Sequence, residues 1–206
     1  MQISYFLKSI AVAATFTLLT AGVAQSAFSD TIMTGTNGPN NFTNGSWVFS
    51  DTFAVTANST INSLGYYDNG DTNHDSHMVG LYDSLGNLLA SANIAAGNNY
   101  SNNFDWKNIS AISLIAGNTY TIAGVSNSDD YGYYGVPSTS SLFTFVSAQY
   151  NFSTTLIDPQ IAPQIIDSPF NGPNAEIVAA VPEPMTPALI GLGLLVLIPI
   201  RRKAKP

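Results

Sequence analysis

Between Trp47 and Ala148 the chain repeats one pattern. Short runs place apolar residues on alternate positions and are broken by Gly, Asn, Asp and Ser. Trp47, Phe49, Phe53 and Val55 share one parity; Leu64 and Tyr66 follow the Asn58-Ser59 break, and Val79 and Leu81 lead into Asp83. Leu88, Ala90, Ala92 and Ile94 form the next run, then Ile112 and Leu114, Tyr120 and Ile122, and finally Leu142, Thr144, Val146 and Ala148. Successive side chains of an extended strand point to opposite faces, so such runs build strands with one buried face. Residues 28–180 hold no long amphipathic helix, and their wealth of Thr, Ser, Asn, Gly, Tyr and Phe favours strands and turns. The expected fold is all-β: an antiparallel β-sandwich, jelly-roll-like, of about eight or nine strands. Phe49, Phe53, Leu64, Val79, Leu81, Trp106, Ile122 and Val146 are its expected core.

Two segments read as hairpin turns. Asp83-Ser84-Leu85-Gly86-Asn87 joins two strands through a glycine able to take a positive φ, and Ala116-Gly117-Asn118 is expected to do the same between Leu114 and Tyr120. Pro159, Pro163, Pro169 and Pro173 give residues 159–180 the composition of a linker.

The two ends differ from the middle. Residues 1–27 run from Lys8 through the apolar stretch Ile10 to Val23 into Ala24, Ser26 and Ala27, any of which suits cleavage. A charged start, an apolar core and a small-residue end read as a signal peptide. Of the six basic residues, Arg201, Arg202, Lys203 and Lys205 lie at the C-terminus, Lys8 lies in the leader, and only Lys107 lies between residues 28 and 180. Twelve of the 13 acidic residues share that middle segment with Lys107, giving it a net −11. Such a surface repels phosphate backbones and excludes nucleic-acid binding. It suits an extracellular setting, polyvalent cations or neutral sugars. There is no cysteine, so the core of an exported chain must be held by packing alone.

After Val181-Pro182-Glu183-Pro184 comes an apolar stretch, Met185 to Ile200, and then Arg201-Arg202-Lys203. Its 16 residues would span about 24 Å as a helix, short of the roughly 30 Å of a bilayer core. The prolines fix a break before it, and the basic end would remain on the cytoplasmic side. This tail closely resembles the PEP-CTERM sorting signal of Gram-negative bacteria. The resemblance rests on Pro182-Glu183-Pro184, the Gly/Leu-rich stretch from Leu189 to Leu197 and the Arg-rich end, with Pro199 as a departure. It implies recognition by a membrane exosortase, removal of the tail at or near the motif, and association with exopolysaccharide and biofilm.

The core also resembles a family of secreted bacterial β-domains of unknown function that often carry this tail. The residues are Gly65-Tyr66-Tyr67-Asp68, His77-Met78-Val79-Gly80-Leu81-Tyr82-Asp83, Gly86-Asn87-Leu88-Leu89-Ala90, Trp106, Leu114-Ile115-Ala116-Gly117-Asn118-Thr119-Tyr120 and Phe170-Asn171-Gly172-Pro173-Asn174. That resemblance spans roughly residues 47 to 178, implies a β-sandwich whose final strand lies at the end of the proline-rich segment, and supplies no catalytic residue. The expected organisation is a signal peptide over residues 1–27, an N-terminal extension or first strand over 28–46, the sandwich over 47–178, and the sorting tail with its short membrane helix over 179–206.

Enzymatic readings find little support. The chain has no thiol nucleophile, its two glutamates are Glu176 and Glu183, and neither His74 nor His77 accompanies a nucleophile-elbow motif. A glycosidase needs a positioned carboxylate pair, and no Asp pair is singled out. The densest oxygen ligands lie in Asp68-Asn69-Gly70-Asp71-Thr72-Asn73-His74-Asp75. Asp68, Asp71, Asn73 and Asp75 form a candidate calcium site, because hard cations take several oxygens. Ser76 stands where an EF-hand needs glycine and Tyr82 where it needs glutamate, and the competing reading is a solvated turn. His74 and His77 are too few for zinc, and His77 is expected to pack beside Tyr82. Tyr131, Tyr133 and Tyr134, near Asp129 and Asp130, either stack on sugar rings or fold onto their own sandwich. The expected protein is exported and non-enzymatic, at the cell surface or in the extracellular matrix after transient inner-membrane anchoring. Its expected partners are signal peptidase, an exosortase and exopolysaccharide. The alternative is a calcium-dependent carbohydrate-binding or adhesion module.

Overall fold

A computed structural model describes residues 29–36, 44–68, 75–97, 99–128, 131, 134–158, 164–166 and 169–180. These residues contain strands and turns but no helix. The strands are β1 (Ser29–Thr31), β2 (Met33–Thr36), β3 (Trp47–Val55), β4 (Ser59–Tyr67), β5 (His77–Asp83), β6 (Leu88–Ile94), β7 (Phe104–Leu114), β8 (Thr119–Val125), β9 (Gly135–Pro137), β10 (Phe143–Phe152), β11 (Gln164–Ile166) and β12 (Pro173–Ala179). They form a four-stranded sheet in the order β1-β12-β4-β7, a six-stranded sheet in the order β11-β10-β3-β8-β5-β6, and the pair β2-β9. Every pairing is antiparallel. The number of strands exceeds the expected eight or nine. The extra ones, β1, β2, β9 and β11, have only three or four residues each, too few to display an alternation. β12 forms at the end of the proline-rich segment, as the family resemblance implies.

Side chains from both large sheets meet in one cluster. Phe53, Val55, Val79, Leu81, Ile122 and Phe143 come from the six-stranded sheet, and Ile61, Leu64, Tyr66, Phe104, Ala175 and Ile177 from the four-stranded one. Full burial of each large apolar side chain is worth roughly 1.5–3 kcal/mol. The six-stranded sheet is covered on its other face as well, where Leu156 and Ile157 lie on Val48, Tyr82, Ala123 and Val125. A Cβ at Gly80 would fall 2.8 Å from the Leu156 side chain, so the glycine lets Leu156 pack close against the sheet. Two-sided cover explains why β3 is buried without a break from Val48 to Asp51.

The Asp83 turn is a hairpin between β5 and β6. The Asp83 carboxylate accepts bonds from the backbone N–H groups of Leu85 and Asn87 and from the Asn87 amide, each 2.9 Å long. These bonds hold its carboxyl below the usual aspartate range. Gly86 takes φ +81°. The second turn is not a hairpin. Gly117 does adopt φ +88°, but β7 pairs with β4 while β8 pairs with β3 and β5. The turn therefore carries the chain from one sheet to the other. It is pinned at both ends of the crossing: Gly117 N–H donates to the Val55 carbonyl at 2.8 Å, and Ala116 N–H to Asn58 Oδ1 at 2.9 Å.

Phe49, Phe53, Leu64, Val79, Leu81 and Ile122 are buried as expected. Val146 is 52% exposed. A bulge between Phe145 and Ser147 shifts the register of β10 against β3, so the inward parity changes from Phe143 and Phe145 to Ala148. Trp106 is only half-buried; it lies over Gly65, whose Cβ would approach its ring to 2.7 Å. β1 joins the sheet through β12, and the chain just after β1 is held by Asn174, whose Oδ1 accepts from Met33 N–H at 3.1 Å while its amide donates to the Met33 carbonyl at 2.9 Å. Residues 1–28 and the chain from Val181 lie outside the described residues, so the expected signal peptide, with the helix it would form, and the expected membrane helix of the tail lie outside them too. Among the described residues no helix is long and apolar enough to cross a membrane.

Candidate functional site

The acidic loop starts where β4 ends. Of the four expected calcium ligands, Asp68 is buried and Asp75 is exposed. Asp71 and Asn73 lie outside the described residues. A further carboxylate that the linear pattern could not offer sits beside Asp68. β4 and β7 pair with Tyr66 opposite Asp105 and Tyr67 opposite Phe104. The next residue, Asp68, donates its N–H to the Asn103 carbonyl at 2.8 Å. Buried Asp68 and buried Asp105 thus stand at the same end of neighbouring strands, 37 positions apart in sequence. Asp105 Oδ2 accepts the Gly97 N–H at 2.8 Å. Burial in the first place, then the charges of Asp68, Tyr67 and Asp105, raises the phenol of Tyr100, so both carboxylates act on one exposed hydroxyl. The loop between β6 and β7 carries Asn99, Asn102 and Asn103 in left-handed conformations, which asparagine tolerates. The corner offers two carboxylates and loop carbonyls, the oxygen chemistry a hard cation takes. Among the described residues no three His, Cys, Asp or Glu side chains converge as metal ligands.

His74 lies outside the described residues, and His77 is not beside Tyr82. The two are five positions apart on β5 and therefore on opposite faces. His77 stacks on Tyr66, with ring centroids 3.8 Å apart and planes 9° apart. Its Nδ1 lies 2.9 Å from the Val125 carbonyl; a carbonyl only accepts, so Nδ1 carries the proton.

Tyr133, Asp129 and Asp130 lie outside the described residues. Tyr131 is buried against Phe49, with centroids 4.6 Å apart, and Tyr134 is exposed. The Tyr131 hydroxyl donates to Asn44 Oδ1 at 2.9 Å, and the same oxygen accepts the Trp47 indole N–H at 2.8 Å. Trp47 in turn meets Tyr150 and Phe152 edge to face, at 5.8 and 5.4 Å. Sequence patterning does not reveal this aromatic group, because its members come from β3, β10 and the segment beside β9.

Among the described residues several buried polar side chains have no hydrogen-bond partner, Ser59 and Asn171 among them, and one of these is a carboxylate with both oxygens bare. Asp51, in the middle of β3, is 1% exposed and neither carboxylate oxygen has a hydrogen-bond partner. Its cross-strand neighbours are Ile122 and Ala148, both fully buried. Desolvation raises its carboxyl well above the ordinary aspartate value.

A family described as "Domain of unknown function (DUF4082)" matches residues 51–155, about half of the chain, and the chain belongs to that family. The motifs from Gly65 to Tyr120 fall inside the matched span, while Phe170 to Asn174 and the tail fall outside it. No curated protein matches the chain. Among solved structures, the infectious bursal disease virus VP2 subviral particle is 12% identical, with 84% of this chain and 48% of that chain covered and a TM-score of 0.27. T=1 particles derived from infectious bursal virus are 11% identical, with 84% and 47% covered and a TM-score of 0.26. The chain spans about half the length of these solved chains.

Proposed function

We propose that this member of the DUF4082 family is an exported, non-enzymatic surface or extracellular-matrix protein, sorted by an exosortase-type system and associated with exopolysaccharide. The observation that carries this reading is the succession of three sequence features in the tail: Pro182-Glu183-Pro184, an apolar stretch too short for a comfortable span, and Arg201-Arg202-Lys203. A leader at residues 1–27 supports it, as does an acidic, cysteine-free β-domain between the two ends. Signal peptidase and the exosortase are then its partners during export, with transient insertion in the inner membrane. For the fold we favour a jelly-roll-like sandwich, since β3 has distant neighbours in the chain, β8 and β10, as Greek-key connections produce. The five-to-three division of the eight longer strands between the sheets departs from an even jelly roll.

The test is mass spectrometry of the surface-located protein. Loss of the residues beyond about Pro184 is expected, and an intact C-terminus would overturn the sorting reading. The second reading, a calcium-dependent carbohydrate-binding or adhesion module, is favoured by one observation: the buried carboxylates of Asp68 and Asp105 at one corner. A hard cation there would take oxygen ligands from both carboxylates.

A further inference from the structure

Buried aromatic rings continue outward to an exposed one at the ends of β3 and β10. Phe49, Tyr131 and Phe170 form the buried part, with Trp47 and Tyr150 packed on it. Register places Trp47 opposite Phe152 and Phe49 opposite Tyr150, so the four side chains share one face of the sheet. The series ends at Phe152, which is 65% exposed.

Phe152 is nevertheless held in place. Its ring meets Trp47 at an interplanar angle of 88°, and Gly45, at φ +121°, leaves the space beside it that a Cβ would close to 3.1 Å. Trp47 is fixed by Asn44, and Tyr150 by Phe170 at 5.4 Å. An exposed aromatic ring normally loses rotamer freedom when it binds; here that cost has largely been met before any ligand arrives.

We propose that Trp47, Tyr150 and Phe152 form a stacking step for the pyranose rings of a neutral polysaccharide. The C–H face of a pyranose carries partial positive charge and meets the negative face of an aromatic ring. The Asn44 amide at the base of the step supplies polar chemistry beside the rings. Charge selects the neutral class: Lys107 is the one basic residue from 28 to 180 against twelve acids, and its ammonium donates to the Asn93 carbonyl at 3.2 Å. A polyanion would be repelled by the net negative charge of the segment as a whole. The inference rests on the surface-protein reading above and names the ligand class for it.

The test is affinity electrophoresis of the full chain in gels containing dextran, mannan, mixed-linkage β-glucan or alginate. Retardation by at least one neutral polymer and none by alginate is expected. Phe152→Ala and Phe152→Leu should each weaken retardation at least tenfold, and Phe152→Tyr should keep it. Equal binding by Phe152→Leu would reveal a merely apolar patch and overturn the stacking step. Failure of the wild type to bind any neutral polymer would overturn it too, as would a Phe152-dependent dimer in light scattering. None of these outcomes touches tail removal, so the sorting reading stands or falls separately.

Discussion

Asp51→Asn isolates the least ordinary group of the core. The carboxyl is 1% exposed, faces Ile122 and Ala148, and has no hydrogen-bond partner. Ionising an unpaired carboxylate in such a place costs several kcal/mol, so the folded chain keeps the proton over a pH range where the unfolded chain has lost it. The unfolded aspartate titrates at about pH 3.9. Above that, and up to the raised folded pKa, the native state binds one more proton than the unfolded state. Stability from this group is therefore fully present below the unfolded pKa and falls as pH rises toward the folded one, at about 1.4 kcal/mol per pH unit. For a domain of this size each unit corresponds to a fall in Tm of about 3–6 °C. The amide introduced by the substitution has nearly the same shape as the carboxyl and no proton to lose. Melting wild type and Asp51→Asn side by side from about pH 4 to pH 8 cancels the other carboxylates, and the variant should gain on the wild type as pH rises. A Tm difference independent of pH over that range would refute the reasoning.

Calcium at a hundredfold excess over its Kd should stabilise the full chain by about 2.7 kcal/mol, and Asp68→Asn or Asp105→Asn should erase that gain; melts unchanged between chelator and millimolar calcium would refute a cation site at this corner. Gly65→Ala drives a methyl to 2.7 Å from the Trp106 ring, and urea unfolding should show a loss of about 1–3 kcal/mol; a neutral result would mean that Trp106 swings away freely. On β10, Val146→Lys should stay within about 0.5 kcal/mol of wild type, whereas Phe143→Ala should cost about 3–5 kcal/mol; equal losses would contradict the bulge.

Alternation revealed the strands because most long ones have one face in a shared core. It failed at three places, each where a non-local fact intervenes. The bulge at Phe145 and Ser147 flips the parity of β10, and nothing in the local sequence announces it. The Gly117 turn has the residues of a hairpin, yet which sheet each flanking strand joins depends on β4 and β3. The burial of Val48 to Asp51 on both sides depends on Leu156 and Ile157 crossing the outer face. The same limit applied to the acidic corner. Asp68 stood out from its neighbours in the chain, but Asp105 joins it only through the β4–β7 register. His77 is the converse case: parity along β5 was enough to separate it from Tyr82, and its stacking on Tyr66 required the fold.

The place of β12 has a kinetic consequence. It is the last strand described, yet it is inserted between β1, the first, and β4, and Asn174 on it clamps Met33, 141 residues earlier. A chain delivered from its N-terminus can pair β4 with β7 early, but β1 waits without a neighbour until Pro173–Ala179 arrive. Loop closures of that length are slow to form. The domain therefore gains its full protease resistance only when its final strand has been delivered, and a chain stopped before Pro173 would expose the edge of β4 to other chains.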